Sequence, residues 1–339
     1  MMRAIILFVL LTVAYGYIYR SPIVLKTEIS YSCNFDFDQF MGIIYSSNDK
    51  EISAWNLNGE LIKRVYAPTG VNVSAIAVNE YTNEIMVSYS DASIYSYDTA
   101  SIIYAYDIVA YSKVSILVTN SSFNYVVVNQ KTGYFYVVAN VGYAIILSYD
   151  NQNNLLANVS LPFKTVEIEN AVIDEFNGDL YMATTPYNML NFTVIIMDIN
   201  GNIKHEFPVQ SVPATSLIIF DNAFLIVENL FFFDVYSLGS RIYLPNLSYE
   251  NLEERYSLQY WKKYDVFYYI DLYNETLHQM IPTITVTNLD RTYVEKINYG
   301  TNDIMFYHNI NVRIHEASGT VIASINDEIK IWKPYYYFY

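Results

Sequence analysis

The residues able to carry out acid–base or metal chemistry are few and scattered. Asp36 and Asp38 are two residues apart in an alternating segment, where both carboxylates could serve as a calcium ligand pair. No loop of further oxygen ligands surrounds them, which favours solvated carboxylates. The histidines have no ligand spacing among themselves of the kind that zinc sites need; they are His205, His278, His308 and His315. No metal site and no cofactor are predicted.

Motifs of the common enzyme classes are absent. The sequence has no Gly-x-Ser-x-Gly elbow, no His-Glu-x-x-His pair and no glycine-rich phosphate loop. No catalytic residue is therefore predicted. Carboxylates that are far apart in a chain can still converge into a hydrolytic site. Asp265, Asp271 and Glu275 are the ones to inspect, although solvated loop residues are the ordinary interpretation.

The beginning of the chain and its sequons predict secretion. Arg3 precedes an uncharged apolar stretch, and Ala14-Tyr15-Gly16 has the small-x-small pattern of a signal-peptide cleavage site. We expect residues 1–16 to be removed, with an uncleaved signal anchor as the alternative. Roughly half or more of the Asn-x-Ser/Thr sequons should then carry glycans. The sequons are at Asn72, Asn120, Asn158, Asn191, Asn246 and Asn274.

Composition narrows the class of protein further. The formal net charge is −15 and the acidic residues are scattered, which argues against nucleic acid as a partner. Cys33 is the single cysteine, so no internal disulfide can form. Its alternating surroundings predict a small buried hydrophobe. Beyond the signal peptide the most apolar window, residues 217–238, is interrupted by acids and amides, so no membrane span is predicted.

A strand–turn–strand segment recurs along the first half of the chain. Residues 78–87, 128–137 and 173–182 align, and each has Asn or Asp where the turn begins and Asn or Gly near its end. The first can hydrogen-bond the turn's own backbone and the last can take a positive φ. A large residue followed by a turn recurs from Trp55 to Trp332 with a mean spacing of about 46 residues. This period is typical of the four-stranded units of a β-propeller.

The repeat predicts an all-β fold, a seven-bladed β-propeller within residues 17–334. Six units are complete, with fourth strands at residues 60–66, 102–111, 155–161, 202–209, 241–244 and 292–298. The seventh, residues 303–334, supplies three strands and ends in a hairpin whose turn is Asn326-Asp327. The otherwise unassigned residues 23–29 are predicted to pair with the strand ending at Trp332 and to cover an exposed edge.

Some segments fit this scheme less well. Residues 250–255 could form a helical turn and residues 273–282 a long connection, so six or eight blades are the alternatives. The tyrosines of residues 256–273 are expected to fill the gaps between sheets. Residues 335–339 form an aromatic tail that has no strand left to join after Pro334. This tail could pack across a face or dock on a partner.

The aligned hairpins, and endings such as Ile329-Lys330-Ile331-Trp332, resemble the group of seven-bladed propellers that includes WD-repeat, NHL-repeat, YVTN and quinoprotein-like domains. The resemblance covers residues 23–334 and implies architecture rather than activity. No Gly-His or Trp-Asp dipeptide occurs, so the hydrogen-bonding signature of WD repeats is absent. The first-half hairpins are more similar to the YVTN or quinoprotein style.

A propeller would place most sequons at one end. Asn72, Asn120 and Asn246 fall between one unit and the next, and Asn191 and Asn274 between second and third strands. These connections emerge at the same end, where propellers usually bind ligands, while Asn158 lies nearer the opposite end. The sequence therefore favours a secreted, N-glycosylated, non-catalytic module that binds a protein or a carbohydrate at the cell exterior. A secreted hydrolase or lactonase with its site in the axial funnel, and a structural coat subunit, are the alternatives.

Overall fold

The computed structural model describes residues 18–19, 22–25, 35–67, 69–70, 72–89, 93–98, 110–115, 123–140, 144–161, 166–186, 192–209, 216–220, 222–228, 232–245, 249–250, 255–261, 266–274, 279–288, 293–298, 311–325 and 328–335. All regular elements within these ranges are β-strands. In this part of the chain we find no helical segment with the length and apolarity required to span a bilayer. The signal-peptide prediction for residues 1–16, and Cys33, lie outside the described residues.

The strands occur in chain order as follows: β1 (Ile18–Tyr19), β2 (Ile23–Leu25), β3 (Phe35–Asp38), β4 (Ile43–Ser47), β5 (Glu51–Asn56), β6 (Leu61–Tyr66), β7 (Val73–Asn79), β8 (Glu84–Tyr89), β9 (Ser93–Asp98), β10 (Ala110–Ser115), β11 (Phe123–Val128), β12 (Phe135–Asn140), β13 (Ala144–Tyr149), β14 (Leu155–Ser160), β15 (Val166–Ile173), β16 (Leu180–Pro186), β17 (Thr193–Met197), β18 (Ile203–Pro208), β19 (Ser216–Phe220), β20 (Phe224–Glu228), β21 (Phe232–Ser237), β22 (Tyr249–Glu250), β23 (Arg255–Trp261), β24 (Val266–Asn274), β25 (Gln279–Asn288), β26 (Tyr293–Asn298), β27 (Asn311–His315), β28 (Thr320–Ile325), β29 (Glu328–Trp332) and β30 (Pro334–Tyr335).

Within the described residues these strands form seven four-stranded antiparallel sheets and one two-stranded pair, β1 with β30. The first six sheets each take four consecutive strands, starting at β3, β7, β11, β15, β19 and β23. The seventh has the order β2-β29-β28-β27, so its outermost strand comes from the beginning of the chain. Because hairpins join successive strands, the first six sheets are built from local pairings, whereas the seventh adds the long-range pairing of β2 with β29.

The sheets are arranged around an axis. The first strands of neighbouring sheets lie against one another in the order β3, β7, β11, β15, β19, β23 and β27, and β27 lies against β3. Apolar side chains fill the spaces between adjacent sheets. One cluster joins Tyr45 and Val65 of the first sheet to Val87 and Tyr89 of the second, and another joins Trp55 to Ile331 of the seventh. This radial packing of sheets makes the fold a β-propeller.

The predicted pairing of the N-terminal strand with the strand that ends at Trp332 is observed. Ile23, Val24 and Leu25 lie opposite Ile331, Lys330 and Ile329. Residues 26–29, which the prediction also included, lie outside the described residues. The chain ends thus meet in one sheet, and β29 gains a partner on a side that would otherwise be an open edge.

Tyrosine fills much of the core, as expected for residues between packed sheets. Its hydroxyl leaves the ring largely apolar, so a tyrosine can bury as much area as phenylalanine. Within residues 256–273, Tyr268 is buried, which agrees with the core-filling interpretation. Outside that segment the fully buried tyrosines include Tyr45, Tyr89, Tyr136 and Tyr149.

Two predicted fourth strands are wrong. In the second sheet the described fourth strand is β10, Ala110–Ser115, which the predicted range 102–111 overlaps only at residues 110 and 111; residues 102–109 lie outside the described residues. In the fifth sheet residues 241–244 contribute an isolated bridge between Tyr236 and Tyr243, and β22 takes the outer position against Phe232 and Phe233. Outermost strands carry weak apolar patterns because one side faces solvent, so they are hard to place from sequence.

The first and last residues of the segment 250–255, considered as a helical turn, both lie in β-strands. Glu250 lies in β22 and Arg255 begins β23. The long connection expected at residues 273–282 is also shorter than predicted, because Tyr273 pairs with Met280 and Asn274 with Gln279. Both errors come from judging polar or interrupted segments as non-strand, although backbone pairing within a sheet can include them.

The expectation that the aromatic tail has no strand to join is wrong for Tyr335. This residue lies in β30 and pairs with Ile18 of β1, while Pro334 pairs with Tyr19. Residues 336–339 lie outside the described residues. The first described strand and the last therefore add a second link between the chain ends.

Candidate functional site

Five turns that join first and second strands are described in full: residues 38–42, 79–83, 129–133, 174–178 and 315–319. We call them the inner turns, because first strands line the axis, and we call the end of the propeller where they lie the turn end. Since all first strands run in the same direction around the axis, the inner turns lie together. The turns between third and fourth strands lie at the same end, farther from the axis.

The first residue of most inner turns caps the turn through its side chain. The Oδ1 atom of Asp38 accepts a hydrogen bond from the Met41 amide at 2.7 Å. Asn129 and Asp174 accept from Lys131 at 3.0 Å and from Phe176 at 2.9 Å in the same way. These local bonds satisfy backbone donors that the turn would otherwise leave open. The expectation that the Asn or Asp bonds its own turn is confirmed at Asn129, at Asp174 and at Asn79, whose Oδ1 accepts from the Thr82 amide at 3.2 Å.

The second residue of the inner turns reaches into the neighbouring sheet. Gln39 Nε2 donates to the Ile314 carbonyl at 2.7 Å, and its Oε1 accepts from the Glu316 amide at 2.9 Å. Gln130 makes the same pair of bonds, donating to Val78 at 2.7 Å and accepting from Glu80 at 2.8 Å. We call this two-bond arrangement the amide clasp. It fixes one inner turn against the next.

Glu80 occupies the same position in the second sheet, but it carries a carboxylate. One of its oxygens accepts a hydrogen bond from the Gln39 amide. Burial raises the pKa of Glu80, the Gln39 bond opposes this, and the carboxylates of Asp38, Asp36 and Glu175 add to the increase. A protonated Glu80 side chain would have one oxygen that accepts and one hydroxyl that donates, which are the two functions that the glutamine amide supplies in the amide clasp.

Asp36 and Asp38 were expected to be solvated carboxylates. This is wrong for Asp38, which is buried, and it missed the contacts that Asp36 makes with neighbouring sheets. Asp38 is 3% exposed. Asp36 Oδ2 accepts from the Val78 amide at 2.8 Å, and Asp36 Oδ1 lies 3.8 Å from Arg313 Nε. Asp36 thus contacts the sheets on both sides of its own. Burial raises the pKa of each carboxyl, although the Arg313 charge and the Val78 amide oppose the increase at Asp36.

His315 is held between the seventh and first sheets. Its Nε2 donates to the Gln39 carbonyl at 3.0 Å, and its Nδ1 lies 2.6 Å from the Ser318 hydroxyl. The ring also meets Phe37 edge to face, with centroids 5.3 Å apart. With both nitrogens in hydrogen bonds, this histidine orients backbone and is not positioned as a metal ligand. In the described part of the chain no group of three or more metal-binding side chains occurs.

The structure therefore brings carboxylates and a histidine together at the inner strands, although they are not the ones singled out as hydrolase candidates. Asp36, Asp38, Glu80 and His315 each bond backbone in their own turn or an adjacent sheet. Such bonds position neighbouring sheets against one another.

The candidate residues named from sequence are dispersed. His205 is exposed on β18, an outermost strand. Asp271 lies in β24, paired with Thr283 on one side and Arg255 on the other. Asp265, Glu275, His278 and His308 lie outside the described residues.

The side chains of two sequon asparagines are exposed, and for a third the structure describes the backbone alone. Asn72 is exposed immediately before β7, in the connection between the first and second sheets, as predicted. Asn158 is exposed on β14, opposite Leu147. Asn274 is the last residue of β24, at the hairpin between second and third strands. Asn120, Asn191 and Asn246 lie outside the described residues.

Aromatic side chains stand at the tips of three inner turns. Phe40 is 85% exposed, Tyr81 55% and Phe176 78%. Each is the third residue of its turn, a position that Lys131 and Ala317 occupy in the other two described inner turns. The aligned segments already contained two of these residues, Tyr81 and Phe176. Their exposure could not be inferred, because an aromatic residue in a repeat is normally assigned to the core.

No family model matches the chain, and no curated protein is similar to it in sequence. A search of solved structures finds a chain of the crystal structure titled "Crystal Structure of Mitotic Checkpoint Complex", with a TM-score of 0.71. The identity is 10%, and the match covers 96% of this chain and 94% of that chain. A likeness at this identity concerns the fold alone. The chain has a β-propeller fold. The resemblance of architecture that the repeats indicated is confirmed.

Proposed function

We propose that the mature chain is a secreted, N-glycosylated, seven-bladed β-propeller that binds a partner outside the cell and catalyses no reaction. One observation carries this proposal. At the turn end the buried polar side chains serve contacts within and between sheets, whereas the aromatic tips are left in contact with water. Large exposed apolar groups that repeat around an axis are a feature of binding surfaces.

The blade count rests on the described sheets and their neighbours. Seven sheets follow one another around the axis, and the first strand of the seventh lies against that of the first. The fourth strand of the seventh sheet is the N-terminal β2. These observations support a closed ring of seven blades.

A protein is the partner class that we favour. One chain of similar structure comes from a crystallised complex, and exposed aromatic residues are enriched where proteins bind one another. A carbohydrate is the second class, because sugars also stack on aromatic faces.

Secretion and glycosylation are tested by the intact mass of the protein recovered from its own host, before and after glycan removal. Loss of residues 1–16 and a mass decrease on deglycosylation are the expected results. Mapping of glycopeptides should show Asn72 and Asn158 among the occupied sequons. An unmodified chain that retains Met1 would contradict the proposed compartment.

The hydrolase alternative has one specific observation in its favour, the meeting of Asp36, Glu80 and His315 near the axis. It is tested by assaying the secreted protein against lactones, esters and glycosides. We expect no turnover above background. Turnover that disappears in Asp36→Asn, with folding unchanged, would replace the binding proposal with an enzyme.

The coat-subunit alternative depends on the aromatic tail. Tyr335 is already paired with Ile18 within the same chain, so the test of this alternative is confined to residues 336–339. Deletion of these four residues should leave the size of the protein in solution unchanged. Loss of an ordered assembly would instead favour a structural role.

A further inference from the structure

Exposed apolar groups concentrate at the turn end. In addition to Phe40, Tyr81 and Phe176, Met41 is 39% exposed there. Farther from the axis, Leu61, Leu155 and Ile203 are exposed as the first residues of β6, β14 and β18, directly after turns at the same end. We call this surface, centred on the inner turns, the turn face.

The inner turn itself does not require an aromatic tip. The turns at Gly42, Gly133, Gly178 and Gly319 are closed by the same backbone bond, from the amide of the glycine to the carbonyl four residues earlier, at 2.8–2.9 Å. The tip is Phe40 or Phe176 in two of these turns and Lys131 or Ala317 in the other two. Since the backbone geometry is the same with either kind of residue, the fold does not explain the exposed rings.

Acidic side chains outnumber basic ones in the inner turns. The five described turns contain five carboxyl groups and one ammonium group; Asp38 and Asp174 are buried, and burial raises the pKa of Glu80. The ammonium group, Lys131, lies 3.8 Å from Glu175, so these two charges partly compensate each other. Glu175 and Glu316 are exposed beside the aromatic tips. Carboxylates next to aromatic faces attract cationic side chains, through direct ion pairing and through cation–π contacts.

Two of the aromatic tips, Phe40 and Tyr81, belong to turns that the amide clasps hold. The amide clasps of Gln39 and Gln130 connect inner turns of neighbouring sheets. The backbone amide of Glu80 donates to Gln130, and this bond holds the backbone directly before Tyr81 in place. A surface that is rigid before binding loses little conformational entropy when a partner docks.

We propose that the turn face binds an arginine- or lysine-rich segment of a partner protein, with the rings of Phe40, Tyr81 and Phe176 as the anchoring contacts. This inference rests on the proposed binding function and adds the face and the chemistry of the partner. It places the binding surface at the end opposite the Asn72 sequon, so a glycan at Asn72 would not cover it.

The test begins with a phage-displayed library of random peptides selected on the glycosylated wild-type protein. We expect the enriched peptides to be rich in arginine or lysine and to bind less tightly as salt is raised. Their affinity should fall roughly tenfold or more in Phe40→Ser/Phe176→Ser, since cation–π and apolar contacts would be lost together.

Tyr66→Ser is the matched control. Tyr66 is 69% exposed but ends β6, so it lies away from the turn face. Its substitution should leave peptide affinity unchanged. Phe40 and Phe176 are chosen because both rings stand largely in water; Tyr81 packs against the Gly133 turn and its loss could disturb folding. Thermal unfolding of each variant verifies that the fold is retained.

The results separate this inference from the function on which it rests. Peptides that are acidic or neutral, or that bind the double variant as tightly as the wild type, would overturn the turn-face inference and leave the binding function standing. Failure to enrich any peptide would also overturn it. In each case the proposed compartment is judged independently by the glycan and mass measurements.

Discussion

Gln39, Glu80 and Gln130 hold one repeated position at the residue scale. The two amides each donate to one carbonyl and accept from one backbone amide of the neighbouring sheet. By the same spacing, we expect the second oxygen of Glu80 to face the carbonyl of Phe37. An ionised carboxylate has no proton to donate there. Burial raises the pKa of Glu80 accordingly, and the protonated form completes the clasp.

Glu80→Gln should therefore stabilise the protein at neutral pH, by about 1 kcal/mol. A carboxyl whose pKa is raised in the folded state stabilises that state most at low pH, and the contribution is lost as pH rises through the folded-state pKa. Glutamine keeps both bonds at every pH. Urea unfolding of both proteins at acidic and neutral pH measures the change. A variant that is less stable than the wild type at neutral pH would show that the carboxylate is preferred.

Asp234 is a second buried carboxyl, in the third strand of the fifth sheet opposite Val227. It is 4% exposed. Burial raises its pKa to about 6, and a hydrogen bond from Tyr243 opposes the increase. The folded state thus binds the proton more tightly than the unfolded chain, whose aspartate titrates near 3.8.

We expect the free energy of unfolding to fall as pH rises from about 4 to about 6, in part because Asp234 must ionise within the core. Asp234→Asn should reduce this dependence by about 1–3 kcal/mol across the interval. The measurement is a series of urea unfolding curves over this pH range. Tyr243→Phe tests the same group from the other side, because loss of the Tyr243 hydrogen bond should raise the pKa of Asp234 further.

At the scale of elements, the turns between third and fourth strands pack on the fourth strand of the preceding sheet. Gly201 in the fourth sheet faces Val159 and Ala157 of β14. Gly59 in the first sheet faces Ile23 and Leu25 of β2 in the same way. The equivalence shows that β2 occupies the fourth-strand position of the seventh sheet in its packing as well as in its hydrogen bonds.

Gly59→Ala should destabilise the protein more than Gly70→Ala. Both glycines have a positive φ, +77° and +89°, so each substitution costs about 1–2 kcal/mol of backbone strain. A Cβ at residue 59 would also meet Ile23, whereas nothing lies within 4 Å of one at residue 70. Overpacking adds about 1–3 kcal/mol. Equal unfolding midpoints in urea for the two variants would mean that β2 does not press on this turn.

At the scale of the whole molecule, closure depends on the first strands of the chain. β2 covers the edge of β29 and contributes Leu25 to the cluster shared with the first sheet. β1 pairs with β30 at the other end of the chain. A protein with a single cysteine has no disulfide to hold the ring shut.

A chain that starts at Phe35 should fold into a molecule that associates or aggregates, because β29 is left as an exposed apolar edge. The matched control removes residues 336–339 and keeps both terminal pairings. Size-exclusion chromatography with light scattering distinguishes the two. A monomeric truncated protein with unchanged thermal stability would contradict the role assigned to closure.

The sequence by itself determined the all-β repeat, the existence of the hairpins and the origin of the closing strand. These features follow from local rules, since alternation of apolar residues and turn-forming Asn or Gly act over a few positions. It failed at β10 and β22, because strands at the outer edge receive little burial to mark them.

Only the tertiary structure decided what the polar residues of the turns do. Asp36 looked solvated from its alternating segment, but it lies between two neighbouring sheets, at Val78 and Arg313. The ring of Phe40 stands in water, although phenylalanine is a residue type that cores usually bury. Burial depends on which sheets become neighbours around the axis, and that arrangement joins residues hundreds of positions apart, beyond the reach of any local pattern.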